Sequence, residues 1–519
     1  MKRIRRLKTK IVLHPIMTFM VLIFGAILLS GILSFFDVNT TYNRVNSAGN
    51  FTSVLVSVNS MLSVQGIRYI FSHTVSNFVS FTPLSMLLIS LIGIGIMDKT
   101  GFLDSFFYLL TKKISRRMIT FSLSLICILA SIIGDLSFVV LIPLAALLFK
   151  YGKRNPKVGI ICAFASLACG IGINIMMNSV DVRLIGHTLS NAQLISPNYT
   201  ISVFAYFIIM IIAAILLATM ITSITEKNIA PRLGRYELDE EDEVHEENEG
   251  LGRREVRAII LAALFGLLYI GVIIYGIIPG LSLRFSGSLL DQTQTYYIEM
   301  LFGANSYFNQ GFVFIVTFLF IILGFVYGVV TKTIKSHRDF CSFLSHSLDG
   351  VGKVIILILM ASMLIFIFRE TNIGVFIVAS LGNLVYNSGF TGIPLILLVF
   401  FISAIGTLFI PGSVAKWSIL SSAVVPAFMN AGMSASFAVL IFRAGESVTY
   451  ALTPMMAYFV IYIAFMEIYS KDDPDTLFGN IRYIRPYAFY TAVIWILLLI
   501  GFYIIGIPFG VGSAPALLG

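Results

Sequence analysis

Four ionisable residues stand inside otherwise apolar segments: Asp181, Lys416, Arg443 and Glu446. A charge at membrane depth is costly, so each is a candidate for function. Arg443 and Glu446 are three apart and share a face of a helix. A guanidinium grips a carboxylate at two points. A carboxylate in the membrane can carry a proton or hold a small cation. The set therefore suits binding of an organic anion, with Asp181 or Glu446 taking a coupling cation. Simpler roles stand beside these. Arg443 and Glu446 can neutralise one another, Asp181 can pair with Arg183, and Lys416 can extend to an interface. Asp135 is a third candidate for ion coupling, or a helix cap.

The stretch "LFIPGSVAKWSILSSAVVP" (408–426) raises the same question in another form. It places Pro411, Gly412 and Ser413 in the middle of an apolar run, then Lys416 beside Trp417, one of two tryptophans. A break of this kind frees backbone amides, and helix N-termini aimed at the midplane favour anions. Ser413 adds a hydroxyl. Lys416 can meet a substrate carboxylate or Glu446. Trp417 can stack on an aromatic ligand, or pack, or sit in an interfacial belt. Asn178, Thr407 and Pro454 complete the candidate substrate-binding set.

Elements that bury such residues must be membrane helices. The chain has 519 residues, 58% hydrophobic and 12% charged, with a mean hydropathy of +0.93. Soluble domains are roughly a quarter charged. Apolar runs near 20 residues fit helices crossing a hydrocarbon core of ~30 Å. The expected fold class is an all-α integral membrane protein, a single polytopic domain over 1–519. The net charge of +9 lies in loops flanking the spans and is no nucleic-acid signal. The four cysteines show no metal or redox spacing.

Basic residues orient the chain. "MKRIRRLKTK" at 1–10 predicts a cytoplasmic N-terminus. Spans are expected near 11–36, 78–97, 158–184, 201–224, 258–278, 312–330, within 351–384, near 436–466 and 486–505. This gives about nine and leaves the C-terminus external. The segment 37–77, poor in Lys and Arg, reads as external. The stretch 118–150 has basic clusters on both sides and Gly134-Asp135 near its centre. It is expected to enter and leave on the cytoplasmic side as a re-entrant hairpin. The stretch 391–430 has no Lys or Arg in its flanks and is expected to be a second hairpin, anchored outside. The loop 226–257, with the acidic run "ELDEEDEVHEENE", reads as a solvated cytoplasmic linker.

Each hairpin is followed by a span with a polar break, "GINIMMNSVDVRL" after the first and "IFRAGESVTYALTP" after the second. Interrupted segments at matching places in two halves that start from opposite sides mark an inverted repeat. They point to the substrate site of a secondary transporter. No P-loop, nucleophile–base pair or metal-ligand set is present, so an enzyme or ATP-driven pump is not expected. A channel is disfavoured because paired hairpins suit alternating access.

The sequence resembles the AbgT family, the p-aminobenzoyl-glutamate transporters. The likeness extends over most of the chain. It is densest in "GIGIMDKTGFL", "IGDLSFVVLIPLAALLF", "GINIMMNSVDVRL", "APRLGRY", "PGSVAKWSILSSAVVPAF" and "FRAGESVTYALTPMMAYF". The resemblance implies a homodimer of nine-span subunits with two re-entrant hairpins each. An inner core would hold the dimer and an outer core would carry the substrate path. It implies uptake of p-aminobenzoyl-glutamate, a folate breakdown product, or in some members sulfonamide efflux. Its motif positions fall on Asp181, Ser413, Trp417, Arg443 and Pro454. The chain departs from the family pattern at Thr407 (usually Asn), Ala435 (usually Pro) and Glu446 (usually Asp). The expected function is cation-coupled transport of p-aminobenzoyl-glutamate or a similar aromatic-acyl glutamate, with antifolate efflux or another organic anion as the alternative. No cofactor is expected beyond H+ or Na+ as coupling ion.

Overall fold

The computed structural model describes residues 13–45, 51–134, 136–174, 178–202, 204–234, 236, 251–303, 305–470, 476–512 and 515–517. Asp135 and the acidic run of the 226–257 loop lie outside the described residues, so the roles expected of them have no structural account.

Helices dominate. Helix α1 (Pro15–Phe35) leads into an antiparallel hairpin, β1 (Asn39–Val45) and β2 (Phe51–Ser57), paired from Asn39 with Ser57 to Val45 with Phe51. Helices α2 (Val64–Val79), α3 (Thr82–Lys99) and α4 (Phe102–Lys113) follow. Then come α5 (Arg116–Leu129), extended by a 3-10 turn over Ala130–Ile133, and α6 (Leu136–Tyr151). The next are α7 (Pro156–Cys169), α8 (Ser179–Ala192) and α9 (Phe207–Ile224), the last prolonged by a π turn into α10 (Ala230–Leu233). Beyond the 226–257 loop stand α11 (Arg253–Ile277), the short α12 (Tyr297–Phe302), α13 (Tyr307–Thr331), α14 (His337–His346), α15 (Val351–Glu370) and α16 (Ile373–Ser388). The chain closes with α17 (Gly392–Phe409), α18 (Ser413–Asn430), α19 (Ala435–Thr449), α20 (Phe459–Ile468) and α21 (Leu477–Ile505).

Among the described residues, nine helices are long and apolar enough to cross a membrane. Seven of them fall on spans read from sequence, near 11–36, 78–97, 201–224, 258–278, 312–330, within 351–384 and near 486–505. Arg116–Ile133 and Gly392–Phe409, expected as hairpin arms, qualify by length. The broken spans expected at 158–184 and 436–466 are pairs of shorter helices, α7 with α8 and α19 with α20. The span expected within 351–384 is α15, and α16 follows it. They meet at Asn372, whose left-handed φ of 58° ends α15 and starts α16. The β1–β2 hairpin and α2 build up the segment read only as polar and external. Asn383 of α16 holds that hairpin by donating to Thr41 O at 2.9 Å.

Two apolar clusters form. The smaller gathers Ile94, Met97, Phe102, Phe107, Ala262 and Tyr327 from α3, α4, α11 and α13. Close approach of helices is what small residues permit inside a membrane. A Cβ on Gly93 would lie 2.8 Å from Thr317 O, and one on Gly324 would lie 2.8 Å from Ile96 Cγ2. The larger cluster contains α7 and α19, whose residues are almost all buried. Within it α7 packs on α20 and α8 packs on α19. The first half of each broken span thus lies beside the second half of the other.

Candidate functional site

Four interruptions of helical backbone meet at one place. The first is the tip between α5 and α6, which contains Ser131 and Gly134. The second is the break between α7 and α8, which contains Gly172, Asn174 and Asn178. The third is the tip between α17 and α18, Pro411 to Ser413. The fourth follows α19 at Tyr450. Together they line a cavity of about 240 Å³, with Val180, Arg183 and Arg443 on its wall. A much smaller space of about 20 Å³ lies behind Gly172, Asn174, Asp181 and Arg443.

Local sequence explains each tip. Asn178 caps α8: its side chain accepts from Val180 N and Asp181 N, both at 3.0 Å. The Asp181 carboxylate returns the bond by accepting from Asn178 N at 3.1 Å, closing a capping box. Asn174 Nδ2 also donates to Asp181 at 2.8 Å. Ser131 Oγ, on the other tip, lies 2.8 Å from both Ile173 O and Asn174 Oδ1. The first tip and the first break are thereby one hydrogen-bonded unit. At the second tip, Pro411 and Gly412 start α18, and Gly412 provides no side-chain cap. The α18 N-terminus therefore opens onto the cavity with its amides unsatisfied by any side-chain cap, a favourable place for an anion.

Arg443 joins the units. Its Nη1 donates to Ser413 Oγ at 2.9 Å and to Glu446 Oε2 at 3.0 Å, and its Nη2 lies 3.6 Å from Asp181 Oδ1. Lys416 is fully buried and pairs with Glu446 Oε1 at 2.9 Å. It also donates to Thr407 Oγ1 at 2.5 Å. Two cations and two carboxylates thus form one connected, electrically neutral cluster. Burial of such charges is tolerated because each meets an opposite charge or a hydrogen-bond partner. Removing one partner of a buried pair costs about 3–5 kcal/mol.

Glycine at 172 makes room for the guanidinium. Its φ is +78°, and a Cβ there would lie 2.4 Å from Arg443 Nε. Gly172→Ala is therefore expected to cost about 1–3 kcal/mol and to lower the thermal midpoint of the purified protein. Gly186→Ala, where nothing lies within 4 Å, is the control expected to leave it unchanged. Equal midpoints for the two variants would show that the fit is loose.

The sequence candidates divide by position. Asn178, Ser413 and Arg443 line the large cavity, and Asp181 lines the smaller one. Glu446, Lys416 and Thr407 lie behind Arg443 as its buried supports. Trp417 is fully buried; its Nε1 donates to Thr188 Oγ1 at 2.9 Å and its ring packs 4.6 Å from that of Phe442. It does not face the cavity. Pro454 lies in the turn before α20, where Thr453 donates to Leu408 O at 2.6 Å. Arg183 donates to Ser179 O at 3.2 Å. Sequence reasoning missed Ser131, Gly172 and Thr188. The pairing of a glycine with a polar break was the available signal for Gly172, and nothing in the order of residues pointed to the other two. Among the described residues no group of His, Cys, Asp or Glu is placed to hold a metal ion.

Comparison with known proteins agrees with the resemblance. The family described as "AbgT putative transporter family" matches residues 2–517. The p-aminobenzoyl-glutamate transport protein of Escherichia coli (strain K12) is 28% identical over 508 residues, covering 97% of this chain and 94% of that protein. Two solved structures are similar. One is the Alcanivorax borkumensis YdaH transporter, at 25% identity and a TM-score of 0.48, covering 96% of this chain and 100% of that one. The other is Neisseria gonorrhoeae MtrF, of a class of antimetabolite efflux pumps, at 29% identity and a TM-score of 0.49, covering 97% and 98%. With the match running almost from end to end, this chain belongs to the AbgT family of multi-pass membrane transporters, which are not enzymes.

Proposed function

We propose that this chain is a secondary active transporter in the cytoplasmic membrane, moving p-aminobenzoyl-glutamate or a similar aromatic-acyl glutamate under a cation gradient. One observation carries the reading: a cavity of about 240 Å³ lined by all four backbone interruptions, with Arg443 on its wall. A glutamate carboxylate entering it meets the uncapped α18 N-terminus, Ser413 and the guanidinium. The relative from Escherichia coli supports the choice of substrate. Asp181 is the coupling carboxylate, because its salt bridge to Arg443 spans 3.6 Å and loosens when the guanidinium turns to a substrate. A homodimer belongs to the same proposal, on the family resemblance. The test is uptake of labelled p-aminobenzoyl-glutamate in proteoliposomes under imposed H+ or Na+ gradients. Saturable accumulation that collapses with the gradient supports the carrier. Non-saturable downhill flux supports a channel, and movement of sulfonamides alone supports efflux of antifolates.

The two helix–break–helix pairs, α5 with α6 and α17 with α18, are read as re-entrant hairpins anchored on opposite faces. Basic residues flank the first and none flanks the second. Gly152 is then cytoplasmic and Gly432 external. Cysteines introduced there singly, in a cysteine-free background, are expected to react with an impermeant maleimide from opposite sides. Reaction of both from one side contradicts the inverted repeat.

A further inference from the structure

Lys416 is the least expected member of the cluster. It is fully buried one turn into α18, away from the cavity wall. Its Nζ touches two oxygens, Thr407 Oγ1 and Glu446 Oε1, and stands 5.1 Å from the centre of the Phe442 ring. Thr407 donates its own hydroxyl proton to Ser403 O at 2.7 Å, so towards Lys416 it can only accept. A carboxylate oxygen, an accepting hydroxyl and a π face are what a small monovalent cation takes as neighbours. The stem of Lys416 runs over Gly406, where an added Cβ would come within 3.3 Å of Cδ. The ammonium is thus delivered to this oxygen-lined place by a side chain for which room has been left.

We propose that Lys416 is a built-in cation, tethered where a free alkali ion would otherwise bind between Thr407 and Glu446. The charge count supports this. With Lys416 the cluster of Asp181, Glu446, Arg443 and Lys416 is neutral; without it one negative charge remains buried. Such a charge needs a compensating cation. When Arg443 turns to a substrate carboxylate, Glu446 keeps Lys416 as its partner. Because Thr407 is on α17, Lys416 on α18 and Glu446 on α19, the ammonium also ties both arms of the second tip to the broken span. The chain therefore binds its anion without Na+ at this position. This inference deepens the proposed function and takes only its ligand from that reading.

The experiment uses the purified full chain, with NaCl exchanged for choline chloride at constant ionic strength. The first readout needs no substrate. The parent is expected to have the same thermal midpoint in both salts. Lys416→Met is expected to gain about 2–4 °C in Na+ over choline, the size of a bound-ion stabilisation. Adding Glu446→Gln to it removes the excess charge and is expected to abolish that gain. The second readout is binding of p-aminobenzoyl-glutamate. Its Kd is expected to be equal in both salts for the parent, and about tenfold weaker in choline than in Na+ for Lys416→Met. Parent stability or binding that requires Na+ overturns the proposal, and this arm needs no variant to fold. So does a Lys416→Met protein indifferent to Na+ in both readouts. A parent that binds no p-aminobenzoyl-glutamate in either salt refutes the substrate reading, while the first readout still decides the role of Lys416.

Discussion

Arg443→Lys is expected to weaken binding of p-aminobenzoyl-glutamate by about 30- to 100-fold, roughly 2–3 kcal/mol, while the protein still expresses and folds. The reason is shape, not charge. Arg443 reaches Ser413, Glu446 and Asp181 from two nitrogens of one planar group. A lysine ammonium is a single point on a flexible stem and cannot hold all three partners at once. It keeps the positive charge that Glu446 and Asp181 require, so the cluster stays neutral and the large cost of an unpaired buried charge is avoided. The measurement is equilibrium binding to detergent-purified protein, with size-exclusion profiles to check folding. Unchanged affinity would show that Arg443 only neutralises the two carboxylates.

Asp181→Asn is expected to reduce gradient-driven accumulation to the level of gradient-free vesicles while substrate exchange persists. Asp181 holds two jobs that this substitution separates. Its carboxylate caps α8 through Asn178 N and faces Arg443 through the other oxygen. Asparagine keeps an oxygen for the cap but loses the charge that a proton can neutralise. A carrier locked in the neutral form can still swap substrate for substrate across the membrane, yet it has no cycle that consumes the gradient. Glu446→Gln is the companion variant. It is expected to affect binding more than coupling, because Glu446 is buried behind Arg443 and already shared with Lys416. Accumulation by Asp181→Asn equal to that of the parent would remove Asp181 from the coupling step.

Much of the site was legible in the chain because membranes penalise charge. Asp181, Lys416, Arg443 and Glu446 announce themselves by standing in apolar runs, and Pro411-Gly412 announces a break. What the order of residues does not carry is which break touches which. Ser131 reaches Asn174 from 43 residues away, and Trp417 finds Thr188 from 229 away. Such partners depend on the packing of α5 against α7 and of α18 against α8, which no local pattern encodes. Trp417 shows the limit well: a lone tryptophan beside a lysine fits stacking on a ligand as easily as the buried contact with Phe442. The division of 351–384 into α15 and α16 was hidden for a related reason. Its turn uses Asn372 in a left-handed conformation, which asparagine tolerates but does not advertise. Hydropathy was also blind to the β1–β2 hairpin, whose strands are short and largely exposed.

Whether substrate occupies the cavity between the four interruptions is tested most directly at Ala415, an exposed residue of its wall at the start of α18. The measurement is the rate at which Ala415→Cys, in an otherwise cysteine-free background, reacts with a small maleimide as p-aminobenzoyl-glutamate is titrated in. The expected result is a slowing of the reaction that saturates at the same concentration as uptake, with a cysteine at Gly432 unaffected. An unchanged rate at Ala415→Cys, at concentrations that saturate uptake, would place the substrate elsewhere and contradict the assignment of the site.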